Sequence, residues 1–164
     1  MKNHSASLGR VRALLITFIL GLTLSGLSAI PLRWELEIVK RLFGVSSSFG
    51  RVFPAFSVWI DRVYEGIQVG YGQYPFLAYG TDWLAFGHMA IAIAFIGPLR
   101  DPIKNIWVVE FGMILCVLVV PWTLIFGFVR GIPFFWELID MSFGIVGIIP
   151  LWFARRDILE LSLT

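Results

Sequence analysis

Apolar residues dominate four long stretches of the chain, and polar residues cluster in the connections between them. The stretches are about 12–32, 82–99, 105–128 and 132–154. Each approaches the roughly 20 residues that a helix needs to cross a hydrocarbon core of about 30 Å. Because backbone groups must be paired internally in lipid, segments of this length cross a membrane as helices. The pattern predicts an all-α membrane protein in which residues 1–164 form a single domain, an antiparallel bundle of four transmembrane helices.

The segment 33–80, between the first two stretches, has a different pattern. Apolar residues recur there at helical spacing in two sets: Leu32, Leu36, Val39 and Phe43, then Phe56, Trp59, Ile60, Val63 and Ile67. Asp61, Arg62 and Glu65 occupy the other face of the second set. This spacing predicts two amphipathic helices, the second over about 54–69, lying on the outer membrane surface or capping the bundle. The stretches 44–50 and 70–75 are predicted loops.

Small residues indicate where helices approach one another closely. In the first stretch Gly21, Ser25 and Ala29 recur every four residues, and in the second Ala85 and Ala92 share the face of His88. Such positions let transmembrane helices pack at short distance. The connections around 98–104 and 130–133 are short, so the second, third and fourth spans are predicted to be sequential antiparallel neighbours.

Composition and charge agree with a membrane protein and orient it. Hydrophobic residues make up 58% of the chain and the mean hydropathy is +0.83. Seven basic residues flank one side: Lys2, Arg10, Arg12, Arg100, Lys104, Arg155 and Arg156. Only Arg130 lies in the opposite short loop, so both termini are predicted to be cytoplasmic and 33–80 extracytoplasmic. The net charge of +2 reflects this bias and does not indicate a nucleic-acid partner.

The first stretch also has features of a cleaved signal peptide, namely basic residues, a short apolar run and the small residues around Gly26 and Ser28. A retained anchor is favoured because the apolar run continues through Pro31 and Leu32. The single cysteine, Cys116, cannot form an internal disulfide.

A polar stripe interrupts the fourth span. Glu137, Asp140, Gly144 and Gly147 advance by three, four and three residues and therefore share one helix face. Ionisable groups in hydrocarbon are costly and usually face protein, water or a ligand. His88 is predicted at a similar depth in the second span and can pair with Asp140. Glu137, nearer the interface, is within the predicted reach of Arg33 or Arg130.

These five residues, His88, Glu137, Asp140, Arg33 and Arg130, form the predicted polar cluster. Its interpretations are an interhelical hydrogen bond that fixes packing, or a ligand pocket open to the outer leaflet. A metal site is a third and weaker alternative: one histidine and two carboxylates can be ligands, but only the three-residue interval between Glu137 and Asp140 resembles ligand spacing. No metal or cofactor is predicted, and haem is disfavoured because His4, the only other histidine, precedes the first span.

Two further acidic residues have simpler explanations. Glu110, near the cytoplasmic end of the third span, is predicted to pair with Arg155 or Arg156, and the alternative is a proton relay in a transporter. Asp82, at the start of the second span, is predicted to cap that helix and to interact with its positive end.

No HExxH, GxSxG, P-loop or GxGxxG motif is present in the chain. The favoured function is therefore non-catalytic: a packing subunit of a larger membrane complex, or a binder of lipid or another apolar ligand through the outer-leaflet His/carboxylate pocket. The alternatives are a membrane-embedded enzyme acting on a lipid-like substrate, and a small proton- or ion-coupled transporter acting as an oligomer. Expected partners are membrane lipids and other membrane subunits or further copies of the chain.

Four strings carry a resemblance: IPLRWE, YPFLAYGTDWLAFGH, FIGPLRDPIKN and RGIPFFWELIDMSFGIVGIIPLW. They resemble those of uncharacterised small bacterial inner-membrane proteins. The resemblance implies a four-span architecture and a location in the bacterial inner membrane. It brings no activity, cofactor or catalytic residue with it.

Overall fold

The computed structural model describes residues 7–163, so Lys2 and His4 lie outside the described residues. Within this range all regular structure is helical. The helices are α1 (Leu8–Ser28), α2 (Leu32–Phe43), α3 (Ser48–Val52), α4 (Pro54–Gln73), α5 (Tyr79–Ala94), α6 (Ile96–Arg100), α7 (Ile106–Arg130) and α8 (Phe134–Ser162). A short 3₁₀ helix, Pro75–Ala78, precedes α5.

Four helical segments are long and apolar enough to cross a membrane: Leu8–Ser28, Pro75–Arg100, Ile106–Arg130 and Phe134–Ser162. Only 17–22% of the most apolar part of each segment is buried within the protein. Apolar surface this extensive is unfavourable in water and marks contact with lipid or another protein. These segments indicate a multi-pass membrane protein, and the prediction of four helices long and apolar enough to span is confirmed.

Several predicted boundaries were wrong. The first span ends at Ser28 rather than near 32, because residues 29–31 form a turn that includes Pro31, and the residue before a proline disfavours the helical conformation. The second span begins earlier than 82, at Pro75. The fourth continues past 154 to Ser162.

The segment 33–80 contains the two expected helices, α2 and α4, and more helix than expected. Part of the predicted loop 44–50 is α3, whose N-cap Ser47 accepts a hydrogen bond from the Gly50 N–H at 3.0 Å. The predicted loop at 70–75 is helical as far as Gln73. Tertiary contacts offset the low helix propensity of its glycines: the Tyr71 hydroxyl lies 3.4 Å from the Thr81 hydroxyl.

The chain divides into two compact units, Met1–Leu22 with Ala90–Thr164 (unit 1) and Thr23–Met89 (unit 2). The core of unit 1 consists of Val11, Leu15, Phe95, Val108, Val109, Leu151, Ala154 and Ile158. The rings of Phe18 and Phe95 lie 4.7 Å apart at their centroids. Gly112 makes room for Phe95, because a Cβ at this glycine would lie 2.5 Å from the Phe95 ring.

Unit 2 is organised by the packing of α2 and α3 against α4. Ile60 is fully buried while Arg62 and Glu65 are exposed, as the amphipathic pattern predicted. Asp61 was predicted to face water, which was wrong for one of its oxygens. Its Oδ1 is buried without a hydrogen-bond partner among the described residues and lies where a Cβ of Gly44 would be.

Candidate ligand-binding site

The turn between α7 and α8 brings the polar residues of both helices together. Gly131 has a φ of 65°, the left-handed conformation that glycine adopts at helix C-termini. The Ile132 N–H donates to the Gly127 carbonyl at 2.9 Å, and the Gly131 N–H donates to the Phe128 carbonyl at 3.3 Å. This pair of bonds ends α7, and α8 begins one residue after Pro133. We call residues 122–140 the loop end of the α7–α8 hairpin.

Along the hairpin, the predicted stripe of α8 faces inward. Gly144 is buried against α7, where a Cβ would collide with the Cys116 carbonyl oxygen. A Cβ at Gly147 would lie 3.2 Å from the Cys116 sulfur and 3.5 Å from the Phe18 ring. The prediction that this face of α8 packs against neighbouring helices is confirmed within unit 1.

An open cavity of about 240 Å³ lies at the loop end. It is lined by Trp122, Thr123, Phe126, Gly127, Arg130, Ile132, Glu137 and Asp140. Three of the five predicted cluster residues, Arg130, Glu137 and Asp140, therefore lie around one cavity. The aromatic wall of this cavity was not predicted from the sequence, although Trp122 and Phe126 are four residues apart and therefore share one helix face.

Glu137 is the most unusual member of this cavity, because only 6% of its surface is exposed. Its carboxyl group packs against the backbone of Gly127, where any side chain would collide with it. Within unit 1, no hydrogen bond or ion pair joins the Glu137 carboxylate to a described residue. A buried carboxylate without a partner is costly, so the site retains a strong preference for a positively charged or hydrogen-bond-donating group.

Arg130 lines the same cavity but forms no ion pair with a described carboxylate. The predicted Arg130–Glu137 pair is therefore wrong. Arg130 is the last residue of α7, where a cation interacts favourably with the helix C-terminus while its long side chain stays exposed.

Asp140 lies less than one turn beyond Glu137 and is half-buried at the same cavity. Like charges three residues apart on a helix repel each other. Together with the unpaired Glu137, this arrangement concentrates acceptor oxygens on one wall of the cavity.

The remaining cluster residues, His88 and Arg33, belong to unit 2. The His88 Nδ1 lies 2.9 Å from the Leu84 carbonyl oxygen of its own helix. The expected close helix approach on the Ala85 face is confirmed, and the neighbour is α1: a Cβ at Gly26 would lie 2.5 Å from the His88 Cβ. In contrast, the predicted contact position Gly21 faces open space. The Arg33 Nε donates to the Gln68 Oε1 at 2.9 Å.

The pairings of His88 with Asp140 and of Arg33 with Glu137 join residues of different units. Both pairings stay predictions.

The other end of the hairpin, where α7 begins and α8 ends, has paired charges; we call it the base end. The Arg155 Nε lies 2.8 Å from the Glu110 Oε1, so Glu110 has one of its two predicted partners. Asp157, which the sequence analysis missed, is fully buried. Its Oδ2 lies 3.2 Å from the Arg10 Nε, and its Oδ1 lies 3.1 Å from the Arg156 Nη2.

The signal for Asp157 was present in the sequence. Leu151, Ala154 and Ile158 continue the apolar spacing of α8 past residue 154, and all three are fully buried beside it. Asp82 was predicted as a helix cap, but α5 begins at Tyr79, so Asp82 lies in its first turn instead. A carboxylate there still interacts favourably with the helix N-terminus.

A second cavity, of about 340 Å³, lies in unit 2 and is lined by Glu37, Lys40, Arg41, Ser46, Ser47 and Tyr64. Its charges already have partners. Arg41 pairs with Glu37 at 2.5 Å, and the Lys40 ammonium lies 4.3 Å from the centre of the Tyr64 ring. The loop-end cavity is the stronger candidate because it contains a buried carboxylate without such a partner.

No group of three His, Cys, Asp or Glu residues within 7–163 is arranged to hold a metal ion. Comparisons with protein-family models, curated proteins and solved structures found no match to the chain. The chemistry of the cavity itself therefore carries the functional interpretation.

Proposed function

We propose that the chain is a non-catalytic integral membrane protein that binds an amphiphilic, lipid-like ligand in the loop-end cavity. The observation that carries this proposal is Glu137, a carboxylate 6% exposed and unpaired within unit 1 that lines an open cavity. The buried Asp157 differs, because its carboxylate has Arg10 and Arg156 as ion-pair partners within 3.2 Å, although its Oδ2 accepts no hydrogen bond from a described residue. An unsatisfied carboxylate in an accessible cavity is satisfied by something that enters it.

The walls of the cavity support an amphiphile rather than a fully polar ligand. Trp122 and Phe126 form an aromatic wall whose ring centroids lie 4.6 Å apart. Ligand sites typically combine such apolar walls with a few polar groups that orient the ligand. Arg130, Glu137 and Asp140 provide those groups here.

The proposal includes the placement of the protein. The charge pattern and the resemblance to small bacterial four-span proteins support an antiparallel four-helix bundle in a bacterial inner membrane, with both termini cytoplasmic. The cavity then opens toward the outer leaflet, and α2 and α4 are extracytoplasmic. Reporter fusions after residue 164 and near residue 48 should give opposite topology signals, and identical signals would contradict this placement. The extensive exposed apolar surface supports contacts with lipids and with other membrane subunits or further copies.

Ligand binding is tested by purifying the wild type and Glu137→Gln in a mild detergent and measuring retained amphiphiles by native mass spectrometry. We expect Glu137→Gln to lose most of the ligand while its melting temperature stays equal or rises, because the substitution removes an unpaired buried charge. The matched control is Glu160→Gln, the same chemical change at a half-exposed position of α8 roughly 35 Å away along the helix. Equal retention by all three proteins would refute the proposal.

A further inference from the structure

We propose that the loop-end cavity selects a headgroup in which a primary ammonium is joined to a phosphate, as in an aminoethyl phosphate lipid. This inference rests on the ligand-binding function proposed above and assigns the chemical class of the ligand. Its basis is the separation of opposite charges around a single cavity.

The ammonium end is matched by the acidic wall. Glu137 is buried without a partner within unit 1, and Asp140 adds a second carboxylate on the same face of α8. A primary ammonium supplies three N–H donors and one positive charge. It therefore relieves both the desolvation of Glu137 and the repulsion between the two carboxylates.

The phosphate end is matched by Arg130. This residue is exposed at the cavity and forms no ion pair with any described carboxylate, although two line the same cavity. Its guanidinium is therefore available to an anion, and guanidinium groups bind phosphate through paired hydrogen bonds. Thr123 also lines the cavity, and a threonine hydroxyl can donate a further hydrogen bond.

The aromatic wall accounts for the apolar part of the ligand. Trp122 is 68% exposed and Phe126 is 41% exposed, and both adjoin the polar groups of the cavity. A lipid whose head occupies the cavity can lay the start of its acyl chains along these rings. Amphipathic aromatic side chains at the membrane interface make such contacts.

Three lipids with identical acyl chains separate the headgroup contributions. Phosphatidylethanolamine carries both the primary ammonium and the phosphate. Phosphatidylcholine keeps the charges but has no N–H donor, and phosphatidylglycerol lacks the cation. The full-length protein in detergent is titrated with each lipid, and the bound fraction is measured by native mass spectrometry.

We expect the wild type to bind phosphatidylethanolamine about tenfold more tightly than either of the other lipids, as the loss of a charge-assisted hydrogen bond predicts. Glu137→Gln should reduce this preference to less than about twofold, because the buried charge is lost. Arg130→Gln should weaken phosphatidylethanolamine and phosphatidylcholine binding by a similar factor. The control Glu160→Gln should retain the wild-type preference.

Equal affinity of the wild type for the three lipids, a preference for phosphatidylcholine or phosphatidylglycerol, or a preference that survives Glu137→Gln would overturn the inference. These outcomes are distinct from failure of the proposed function. If the inference alone fails, another amphiphile still depends on Glu137 for its retention; if the function fails, no amphiphile does.

Discussion

The two ends of the α7–α8 hairpin each bury a carboxylate, and they treat it in opposite ways. At the base end, Asp157 is fully buried and has Arg10 and Arg156 within 3.2 Å. At the loop end, Glu137 is 6% exposed, and no described cation of unit 1 lies within 4.0 Å of it. Arg130 lines the same cavity as Glu137 but forms no ion pair with the Glu137 carboxylate.

The difference shows why burial alone does not identify a functional site. A buried charge that has ion-pair partners within the fold contributes to structure. Removing one partner destabilises the folded protein, because the desolvation cost of the charge is no longer offset. The buried Glu137 lies beside a cavity and has no partner within unit 1, which is the basis for the ligand site that we propose there. The comparison predicts that substitutions at the base end chiefly change stability and those at the loop end chiefly change binding.

The largest effect is expected when both partners of Asp157 are removed. The double substitution Arg10→Ala with Arg156→Ala leaves a fully buried carboxylate uncompensated and should lower the free energy of unfolding by about 3–5 kcal/mol. Chemical unfolding in mixed micelles measures this change. The control is Arg41→Ala, which removes an exposed ion pair of unit 2 and should cost at most about 1 kcal/mol. A double variant as stable as this control would show that Asp157 is not held by its arginines.

The second prediction compares the same chemical change at the two ends. Asp157→Asn should destabilise the protein by about 1–3 kcal/mol, because it weakens charge-assisted contacts to two arginines. Glu137→Gln should leave the ligand-free stability unchanged or slightly higher. Thermal unfolding of the two single variants, each after removal of amphiphiles, measures the difference. A larger loss for Glu137→Gln than for Asp157→Asn would reverse the comparison.

The third prediction concerns the helix contact between the two ends. Gly144→Ala places a methyl group against the Cys116 carbonyl oxygen of α7, so the helices must separate, at a cost of about 1–3 kcal/mol. The control Gly66→Ala lies within α4 and faces open space, so it should stabilise the protein by about 0.5–1 kcal/mol through helix propensity. Unfolding measurements on both variants check the signs, and equal signs would argue against close packing at Gly144.

The smallest effect is expected at Asp140. A hydrogen bond from His88 to Asp140, as the sequence predicted, would contribute only about 0.6 kcal/mol, the average of measured interhelical bonds in membranes. A double-mutant cycle with His88→Ala and Asp140→Asn measures this coupling directly. In the ligand-site interpretation, Asp140→Asn lowers lipid binding while the melting temperature hardly changes. A melting temperature that falls in step with binding would instead favour a purely structural pair.

Much of the architecture follows from local patterns that a single sequence contains. Long apolar stretches must form helices in lipid, which is why all four spans were predicted. The repeats around Leu36 and Ile60 correctly predicted α2 and α4, since burial of one helix face repeats every three or four residues. The stripe of Glu137, Asp140, Gly144 and Gly147 was predictable for the same reason.

Helix boundaries and charge partners depended on contacts beyond the one or two turns that local patterns cover. Helix α4 continues through Gly70 and Gly72 because neighbouring segments support it, which local propensity does not reveal. Asp157 lies beyond the apolar stretch that defined the fourth span, yet its side chain is buried beside a core that includes Val11 and Val109.

The sequence by itself determined where the long helices lie, which segments suit a membrane and which face of α8 is polar, because these properties depend on neighbours within one or two turns. Only the tertiary structure decided that Asp157 is paired and that Glu137 is not. The partners of a charge are set by how helices pack, and Arg10 reaches Asp157 across 147 positions of the chain while Arg130, seven positions from Glu137, does not pair with it.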